Sequence, residues 1–250
     1  MSLSYNDNWT TPITSSYYPA LPAYYRNVRF QFVFFQADPE RVRAFLPEPL
    51  EPAPDGGCVA IGIHVPFCTN YGSFNEAVLE FKCRFQGQEG WYCSHVWHDG
   101  PAGIAAGREI YGTPKIFSQM EVRMEERAML TRASMGGLPV ITVHSTHTEP
   151  CSPEAMPILT PAWRLKLIPR ADGPGPAIKQ LIDCTEATID FQAHVCFKGA
   201  GIVRFEPSAL CDLTGLGTHA SGEAYYMEAS YGETYARVAY DYLRLDHGTP

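Results

Sequence analysis

Proline and glycine residues interrupt this chain along its whole length, with 21 of each among 250 residues. Inside a helix, glycine costs about 1 kcal/mol and proline about 3 kcal/mol relative to alanine, so long helices are disfavoured. The segments between these breaks are rich in β-branched and aromatic residues, which is typical of short strands. The sequence therefore predicts a mainly β fold with a minor α component: one antiparallel β-barrel or sandwich with a few short helices.

Two short helices are expected beside the strands. Asp38 is a suitable N-cap for a helix over residues 38–46, and Asp99 for one over residues 101–108. A single helical turn is also expected at 179–184. Strands are predicted over 28–36, 58–65, 76–85, 91–98, 119–125, 127–134, 139–147, 162–169, 185–197, 200–206 and 233–243.

The first 24 residues differ in composition from the rest, since they are aromatic and carry few charges. We interpret residues 1–24 as an N-terminal arm that packs against something. Residues 25–250 contain no linker, repeat or charge block, which predicts a single domain. The arm could cover its own barrel or cross an interface between subunits.

Net charge argues against several classes of partner. The chain carries 19 Lys and Arg against 27 Asp and Glu, a net charge of −8. Without a basic stripe, a nucleic-acid partner is not expected. The sequence shows neither a signal-peptide pattern nor an apolar run of about 18–20 residues, so we expect no membrane partner. Eight scattered cysteines are typical of reduced thiols, which predicts a cytoplasmic protein.

Histidine pairs could suggest a metal site but have the wrong spacing. His144 and His147 are three residues apart in a predicted strand, as are His95 and His98. Side chains three apart on a strand point to opposite faces, so no metal is predicted. The chain also lacks a P-loop and a dinucleotide-binding motif, and we expect no cofactor.

One lysine stands in an unusually apolar setting. Lys115 follows a proline in the segment GREIYGTPKIFS and has Ile116 and Phe117 directly after it. These neighbours either belong to the edge of a core or keep water away from the amine. If the segment is a strand, Tyr111, Thr113 and Lys115 share one face, so the first two are candidates to line a pocket around the lysine.

A carboxylate is a second candidate on the predicted strand 76–85. Apolar residues alternate there with Glu76, Glu80 and basic residues. From the alternation alone, Glu76 could belong to a solvated face of the sheet. It could equally project into a site.

The segments around Lys115 resemble the acetoacetate decarboxylase family. GREIYGTPK, preceded by DGPAGIAA, is similar to the family's helix that leads into a Pro-Lys pair. The resemblance continues through other segments and covers roughly residues 11–243: FFQADPERVRAFLPEPLEP, NYGSFNEAVLEF, FQGQEGWY, RLKLIPR and ARVAYDYL. It implies a lyase of the family's β fold that acts on a keto acid and assembles as a homo-oligomer.

The resemblance implies that Lys115 forms a Schiff base with the substrate. The amine must be neutral to attack, whereas a free lysine has a pKa of about 10.4. Decarboxylases of the family carry a second lysine next to the reactive one, and this chain has Ile116 there. Burial alone can lower a lysine pKa by about 3–5 units, so we expect Ile116 and Phe117 to exclude water from the amine.

Further roles follow from the same resemblance. Glu76 matches the glutamate that faces the reactive lysine, with a role in proton transfer. A second family glutamate falls near Ile61 and is absent here, with His64 as the polar residue nearby. The substrate carboxylate is assigned to Arg29, with Arg26 as the alternative.

Three interpretations of function remain at this point. The first is a Schiff-base lyase acting through Lys115 on small keto acids, in which aldolase or dehydratase chemistry on pyruvate-like substrates, with an aldehyde as second substrate, stands beside decarboxylation of a β-keto acid. The second is a non-catalytic ligand-binding relative with the same fold. The third is an unrelated β-rich hydrolase, which the lysine motif disfavours.

Overall fold

The computed structural model describes residues 9–12 and 14–244. Its helices are α1 (Pro39–Arg43) and α2 (Pro101–Ala106), with a π-helical turn at Gly107–Tyr111 and 3₁₀ turns at Pro153–Ala155 and Thr214–Leu216. The strands of this part of the chain are β1 (Ala23–Gln36), β2 (Glu51–Pro52), β3 (Gly57–Val65), β4 (Phe67–Cys68), β5 (Phe74–Phe85), β6 (Gln88–His98), β7 (Lys115–Phe117), β8 (Gln119–Glu125), β9 (Ala128–Met135), β10 (Leu138–Thr146), β11 (Glu149–Pro150), β12 (Ala162–Pro169), β13 (Pro176–Asp183), β14 (Thr188–Phe205), β15 (His219–Glu233) and β16 (Arg237–Asp241).

All these strands belong to one mixed sheet. Its main path runs β16-β13-β12-β6-β5-β3-β1-β15-β14-β10-β9-β8, with the four shortest strands attached at its sides. Neighbours are antiparallel except β7 and β12, which both pair in parallel with β6. The mainly β prediction is confirmed, although the sheet is open, with β16 and β8 at its ends, rather than closed as a barrel.

Side chains on the central strands point alternately to the two sides of the sheet, and an apolar interior lies on each side. On β1, β3 and β5, one set of side chains packs against β9, β10 and β14 and forms the main core: Val33, Phe35, Cys58, Ala60, Ala77, Leu79, Phe81, Ala133, Ile141, Val143, Val203 and Phe205. The alternate set points to the opposite side, toward β12 and β15. Successive strand residues face opposite ways, so a residue's parity decides whether it belongs to the core or to the second interior.

Several local predictions needed correction. Asp99 does not cap α2, because its carboxylate accepts hydrogen bonds from the backbone and side-chain nitrogens of Asn75. The predicted helical turn at 179–184 belongs to β13, where pairing with β12 and β16 on both sides overrides a weak helical pattern. By contrast, the Asp38 cap is confirmed, since its carboxylate accepts from the Glu40 amide at 3.0 Å.

The described part of the predicted arm packs against its own chain. Tyr18 and Leu21 are buried, and the Tyr18 hydroxyl donates to a Glu109 carboxylate oxygen at 2.6 Å. Residues 1–8 and 13 of the predicted arm lie outside the described residues. The division into arm and domain, and the homo-oligomer, stay predictions. Among the described helices, none has the length and apolar character that crossing a bilayer requires.

Candidate active site

The second interior contains a cavity of about 350 Å³ between β1, β3, β5 and β6 on one side and β12 and β15 on the other. Most of its wall is aromatic or aliphatic, with Phe30, Phe32, Ile61, Ile63 and Tyr231 among the lining residues. Charged groups enter at only a few points: Glu76, Glu80, Lys115, Arg164 and Glu233. An apolar cavity with a few convergent polar groups is the usual form of a small-molecule site.

A tight loop after the π-helical turn carries Lys115 to this cavity. Gly112 has a φ of 73°, and a Cβ there would lie 2.2 Å from the Lys166 Cα, so only glycine fits. The chain then reverses, with the Lys115 amide donating to the Thr113 carbonyl at 2.7 Å and Arg108 donating to the Lys115 carbonyl at 3.2 Å. Backbone contacts on both sides therefore fix where the lysine side chain starts.

Inside the cavity, Lys115 meets Glu76. The Lys115 Nζ donates to the Glu76 Oε1 at 2.6 Å, and their side chains are only 14% and 11% exposed. The Phe74 ring lies 5.7 Å from the ammonium, within cation–π range. An amine and a carboxylate in direct contact, largely shielded from water, can exchange a proton without a bridging solvent molecule.

A buried histidine stands behind the carboxylate. His98 is 0% exposed, stacks on Phe74, and has its Nε2 3.2 Å from the Glu76 Oε1, though at an angle that falls short of a regular hydrogen bond. The Gly100 amide donates to the His98 Nδ1 at 2.7 Å. A neutral ring that accepts at Nδ1 carries its proton on Nε2, so His98 presents a donor to Glu76.

These contacts decide the charge of Glu76. Burial raises the pKa of its carboxyl, but the Lys115 ammonium and His98 outweigh burial and hold the pKa well below its usual range. The carboxylate is thus ionised at neutral pH. In this arrangement Glu76 is a proton acceptor beside the amine.

A second polar group lies further along the cavity wall, where Arg164 projects from β12 toward Glu80 and Glu233. Burial works against its charge, yet the pKa of the guanidinium lies above its ordinary value, with the Glu233 carboxylate among the groups that raise it, so Arg164 stays charged. Its Nε is buried without a hydrogen-bond partner among the described residues. A buried guanidinium with a free donor suits an anionic group of a ligand.

The arrangement of β6 explains why Lys115 and Arg164 face one another. Strands β12 and β7 pair with the same edge of β6. Trp163 on β12 pairs with Tyr92 in the first half of β6, and Lys115 on β7 pairs with Val96 near its C-terminal end. Arg164 is therefore beside Cys93, three residues before Val96. At about 3.3 Å per residue, the two cationic residues begin about 10 Å apart on the same edge, with the cavity between them.

Four of the six predicted site residues line the cavity: Lys115, Glu76, Tyr111 and Thr113. Tyr111 and Thr113 reach it for a different reason than predicted. Tyr111 ends the π-helical turn and Thr113 lies in the loop, so they do not share a strand with Lys115.

The other two predicted residues lie outside the cavity. Arg29 pairs with Glu228 at 3.6 Å, and the His64 Nδ1 contacts the Asn75 Oδ1 at 2.8 Å. Both have the parity of the main-core residues on β1 and β3, whereas Phe30 and Ile63 beside them line the cavity. The one-residue difference in register therefore keeps Arg29 and His64 out of the cavity, and Arg164 is the arginine that lines it.

The expected shielding of Lys115 also needs correction. Ile116 packs against the main core, because it alternates with Lys115 on β7. Phe117 is 64% exposed and lies outside the lining. Water is instead kept from the amine by Phe74 and Val96, which line the cavity around it.

Sequence reasoning did not assign His98, Glu80, Arg164 or Glu233 to the site. Arg164 lies within RLKLIPR, a segment similar to the family, but nothing in its spacing marks it as buried. The apolar alternation of β5 did contain the signal for Glu80, since it shares the face of Glu76.

Within the described residues, no group of three His, Cys, Asp or Glu side chains could hold a metal ion.

Gly107→Ala offers a direct test of the space around the lysine. An added Cβ would lie 2.8 Å from both the Cδ and the Cε of Lys115, while the Gly107 φ of −60° suits alanine. We expect an intact fold and a displaced amine, and hence roughly 10- to 100-fold slower Schiff-base formation with pyruvate. Borohydride trapping followed over time measures the rate. Gly173→Ala, where a Cβ meets nothing within 4 Å, is the control; equal rates in both variants would contradict the expectation.

Comparisons with known proteins agree with this fold. Acetoacetate decarboxylase from Clostridium beijerinckii is 29% identical over 240 residues, which cover 94% of this chain and 96% of that protein. The crystal structure of acetoacetate decarboxylase from Legionella pneumophila has a TM-score of 0.83 at 24% identity, over 92% of this chain and 91% of that one.

A more distant structural neighbour is the enduracididine biosynthesis enzyme MppR complexed with pyruvate. It has a TM-score of 0.79 at 18% identity, over 96% of this chain and 98% of that one. A second MppR structure holds the condensation product of pyruvate and imidazole 4-carboxaldehyde. At such identities the likeness shows the shared fold.

The sequence profile of the acetoacetate decarboxylase (ADC) family matches residues 10–243, nearly the whole of the chain. This range includes the strands around the cavity, the loop that carries Lys115, and β12 with Arg164. The chain therefore belongs to the acetoacetate decarboxylase family.

Proposed function

We propose that this protein is a carbon–carbon lyase in which Lys115 forms a Schiff base with a small keto acid. The observation that carries the proposal is the contact of 2.6 Å between the Lys115 amine and the Glu76 carboxylate inside an apolar cavity. Family membership supports a keto-acid substrate. Trapping of a keto acid on Lys115 distinguishes this proposal from a purely ligand-binding relative of the same fold.

The first steps follow from the charges. Glu76 takes a proton from the Lys115 ammonium, and the neutral amine attacks the keto carbon. The hydroxyl group of the resulting carbinolamine takes that proton back from Glu76 and leaves as water, so that an iminium forms and Glu76 is a carboxylate again. The substrate carboxylate is held by the Arg164 guanidinium at the far side of the cavity. Glu76 then moves a proton to or from the carbon next to the imine carbon, since it lies beside the same nitrogen.

We propose aldolase or dehydratase chemistry on a pyruvate-like substrate, with an aldehyde as second substrate. A cavity of about 350 Å³ lies in the range of about 300–1,000 Å³ that accommodates ligands larger than a three-carbon acid. The relative MppR has been seen with pyruvate and with a condensation product of pyruvate. The second cation of the decarboxylases is replaced here by Ile116, which faces the main core.

Decarboxylation of a β-keto acid is the second candidate. Curated relatives over nearly the full length are acetoacetate decarboxylases, and the iminium would accept the electron pair of the carboxylate bond equally well. Both reactions share the electron sink and differ in the group that leaves.

Borohydride trapping tests the proposal. The protein is incubated with pyruvate, reduced with sodium borohydride, digested and mapped by mass spectrometry. We expect Lys115 to gain the mass of pyruvic acid less one oxygen atom. The absence of an adduct at Lys115 across a panel of keto acids would exclude Schiff-base catalysis. Release of CO₂ from acetoacetate, measured beside condensation of pyruvate with an aldehyde, then identifies the reaction.

A further inference from the structure

Two glutamates project from the same face of β5 into the cavity, and they differ in their partners. Glu76 is bound to Lys115. Glu80 forms neither a hydrogen bond nor an ion pair with any side chain in the described part of the chain, although it lines the same cavity. Glu80 is half-buried, and a carboxyl group without a side-chain partner in a mainly apolar cavity is poorly stabilised in its charged form, so its presence there invites a functional explanation.

The register of the sheet places Lys115 between the two glutamates. Val78 on β5 pairs with Val96 on β6, and Val96 pairs on its other side with Lys115 on β7. Glu76 and Glu80 lie two residues before and two residues after Val78. A bulge between Leu79 and Glu80 sets Glu80 opposite Cys93, three residues before Val96, whereas Glu76 is opposite His98, two residues after it. With strands about 4.8 Å apart and a rise of about 3.3 Å per residue, the Cα atoms of Glu76 and Glu80 lie about 12 Å and about 14 Å from that of Lys115. The lysine leans toward Glu76, so an iminium carbon on it has Glu76 on one side and Glu80 on the other.

The two carboxyl groups hold their protons differently. Burial raises the pKa of Glu80 to about 7, although Arg164 acts in the opposite direction, whereas the pKa of Glu76 is held well below its usual range. The other titratable groups facing Glu80 are thiols, whose pKa values burial raises, so that they stay neutral: Cys83, Cys93 and Cys184. Near neutral pH the site thus offers one ionised carboxyl group and one that is about half protonated, a division typical of a general base and a general acid.

We propose that Glu80 is a second catalytic residue of this site, the acid that protonates the hydroxyl group lost as water when an aldol adduct dehydrates on Lys115. The inference rests on the proposed Schiff base. It assigns the substrates to a keto acid and an aldehyde, because their aldol adduct carries a hydroxyl group two carbons from the imine carbon.

The Glu76 carboxylate removes a proton from the carbon next to the imine carbon, and that electron pair forms a double bond to the hydroxyl-bearing carbon. The bond from this carbon to oxygen breaks while the oxygen takes the proton of Glu80, and water leaves. Glu76 ends protonated and Glu80 ionised, and solvent restores both. Hydrolysis of the conjugated iminium releases an unsaturated keto acid and frees Lys115.

Decarboxylation alone would not use this pair. Loss of CO₂ needs one proton, delivered to the carbon next to the imine carbon, and Glu76 lies beside that carbon. An acid and a base on opposite sides of the iminium are needed only where one proton is removed and another is added.

Glu80→Gln separates these roles. Exchange of the pyruvate methyl protons for deuterium, followed by NMR, requires Lys115 and Glu76 but no acid at Glu80. Condensation of pyruvate with benzaldehyde, followed by the ultraviolet absorbance of the unsaturated product, requires all three. We expect Glu80→Gln to keep native exchange and borohydride trapping, and to condense about 100- to 1,000-fold more slowly. The native condensation rate should fall above about pH 7, where Glu80 loses its proton, and this decline should vanish in the variant.

The control is Glu125→Gln, an exposed glutamate on β8, which should match the native protein in every assay. Equal condensation rates and pH profiles in Glu80→Gln and the native protein would overturn the role of Glu80. So would a parallel loss of exchange and condensation in Glu80→Gln, which indicates a structural role, or exchange by the native protein without any condensation. Failure of the native protein to exchange or to be trapped would instead contradict the Schiff base itself.

Discussion

Replacing Lys115 with methionine is expected to abolish the borohydride-trapped adduct and to lower kcat by about four to six orders of magnitude, the usual consequence of removing a covalent nucleophile. Methionine keeps the length and apolar stem of the side chain but cannot form an iminium. Without the ammonium, the buried Glu76 loses the partner that keeps it ionised, so its carboxyl is expected to take up a proton. Mass spectrometry of the reduced protein and turnover of the same keto acid measure both effects.

Two controls guard this result. The double variant Lys115→Met/Glu76→Gln removes both members of the buried pair and shows whether a lone carboxyl group alone disturbs the fold, as judged by circular dichroism and thermal unfolding. Lys166 is the rival nucleophile, because it packs against the loop at Gly112 and burial lowers its pKa. Lys166→Met should leave the adduct at Lys115 unchanged. An adduct on Lys166, or undiminished turnover in Lys115→Met, would transfer the nucleophilic role away from Lys115.

The central sheet was predictable because its strands carry a strong local signal. Strands such as β3 and β5 alternate or run apolar between clear turns, and their predicted bounds agree with the structure to within two residues. β15 was missed because HASGEAYYMEASYGE mixes polar and small residues, and its strand state depends on pairing with β1 and β14. The prediction of a helical turn at 179–184 was wrong for the same reason, since long-range strand pairing outweighed local propensity.

Some of the residues that line the cavity were predictable as candidates. Lys115 could be identified because an apolar setting is unusual for a lysine, and Glu76 because of its similarity to a family position. Arg29 could not be placed reliably, since a shift of one residue on a strand moves a side chain to the other face. Arg164 is contributed by β12, which reaches β6 through a parallel pairing across about 70 residues of sequence, and local patterns carry no information on such contacts.

The assignment of Arg164 leads to the second large effect. Arg164→Met is expected to raise KM for pyruvate by about 30-fold or more, because losing a buried charged hydrogen-bonding partner costs about 2–5 kcal/mol and about 1.4 kcal/mol corresponds to a factor of ten. The KM of Arg164→Lys should lie between those of Arg164→Met and the native protein. Lysine keeps the charge but lacks the planar guanidinium that binds a carboxylate at two points. Steady-state kinetics, together with trapping at several pyruvate concentrations, measure the change.

A ketone without a carboxylate distinguishes recognition from general damage to the site. 2,4-Pentanedione also condenses with a reactive lysine amine, and Arg164→Met should form that adduct as readily as the native protein does. Arg29→Met is the matched control, because Arg29 is half-exposed, pairs with Glu228 and lies outside the cavity, so KM for pyruvate should not change. If KM rose as much in Arg29→Met as in Arg164→Met, Arg29 and not Arg164 would be the residue that binds the substrate carboxylate. If Arg164→Met lost the 2,4-pentanedione adduct as well, the arginine would be supporting Lys115 and the cavity wall rather than holding the substrate.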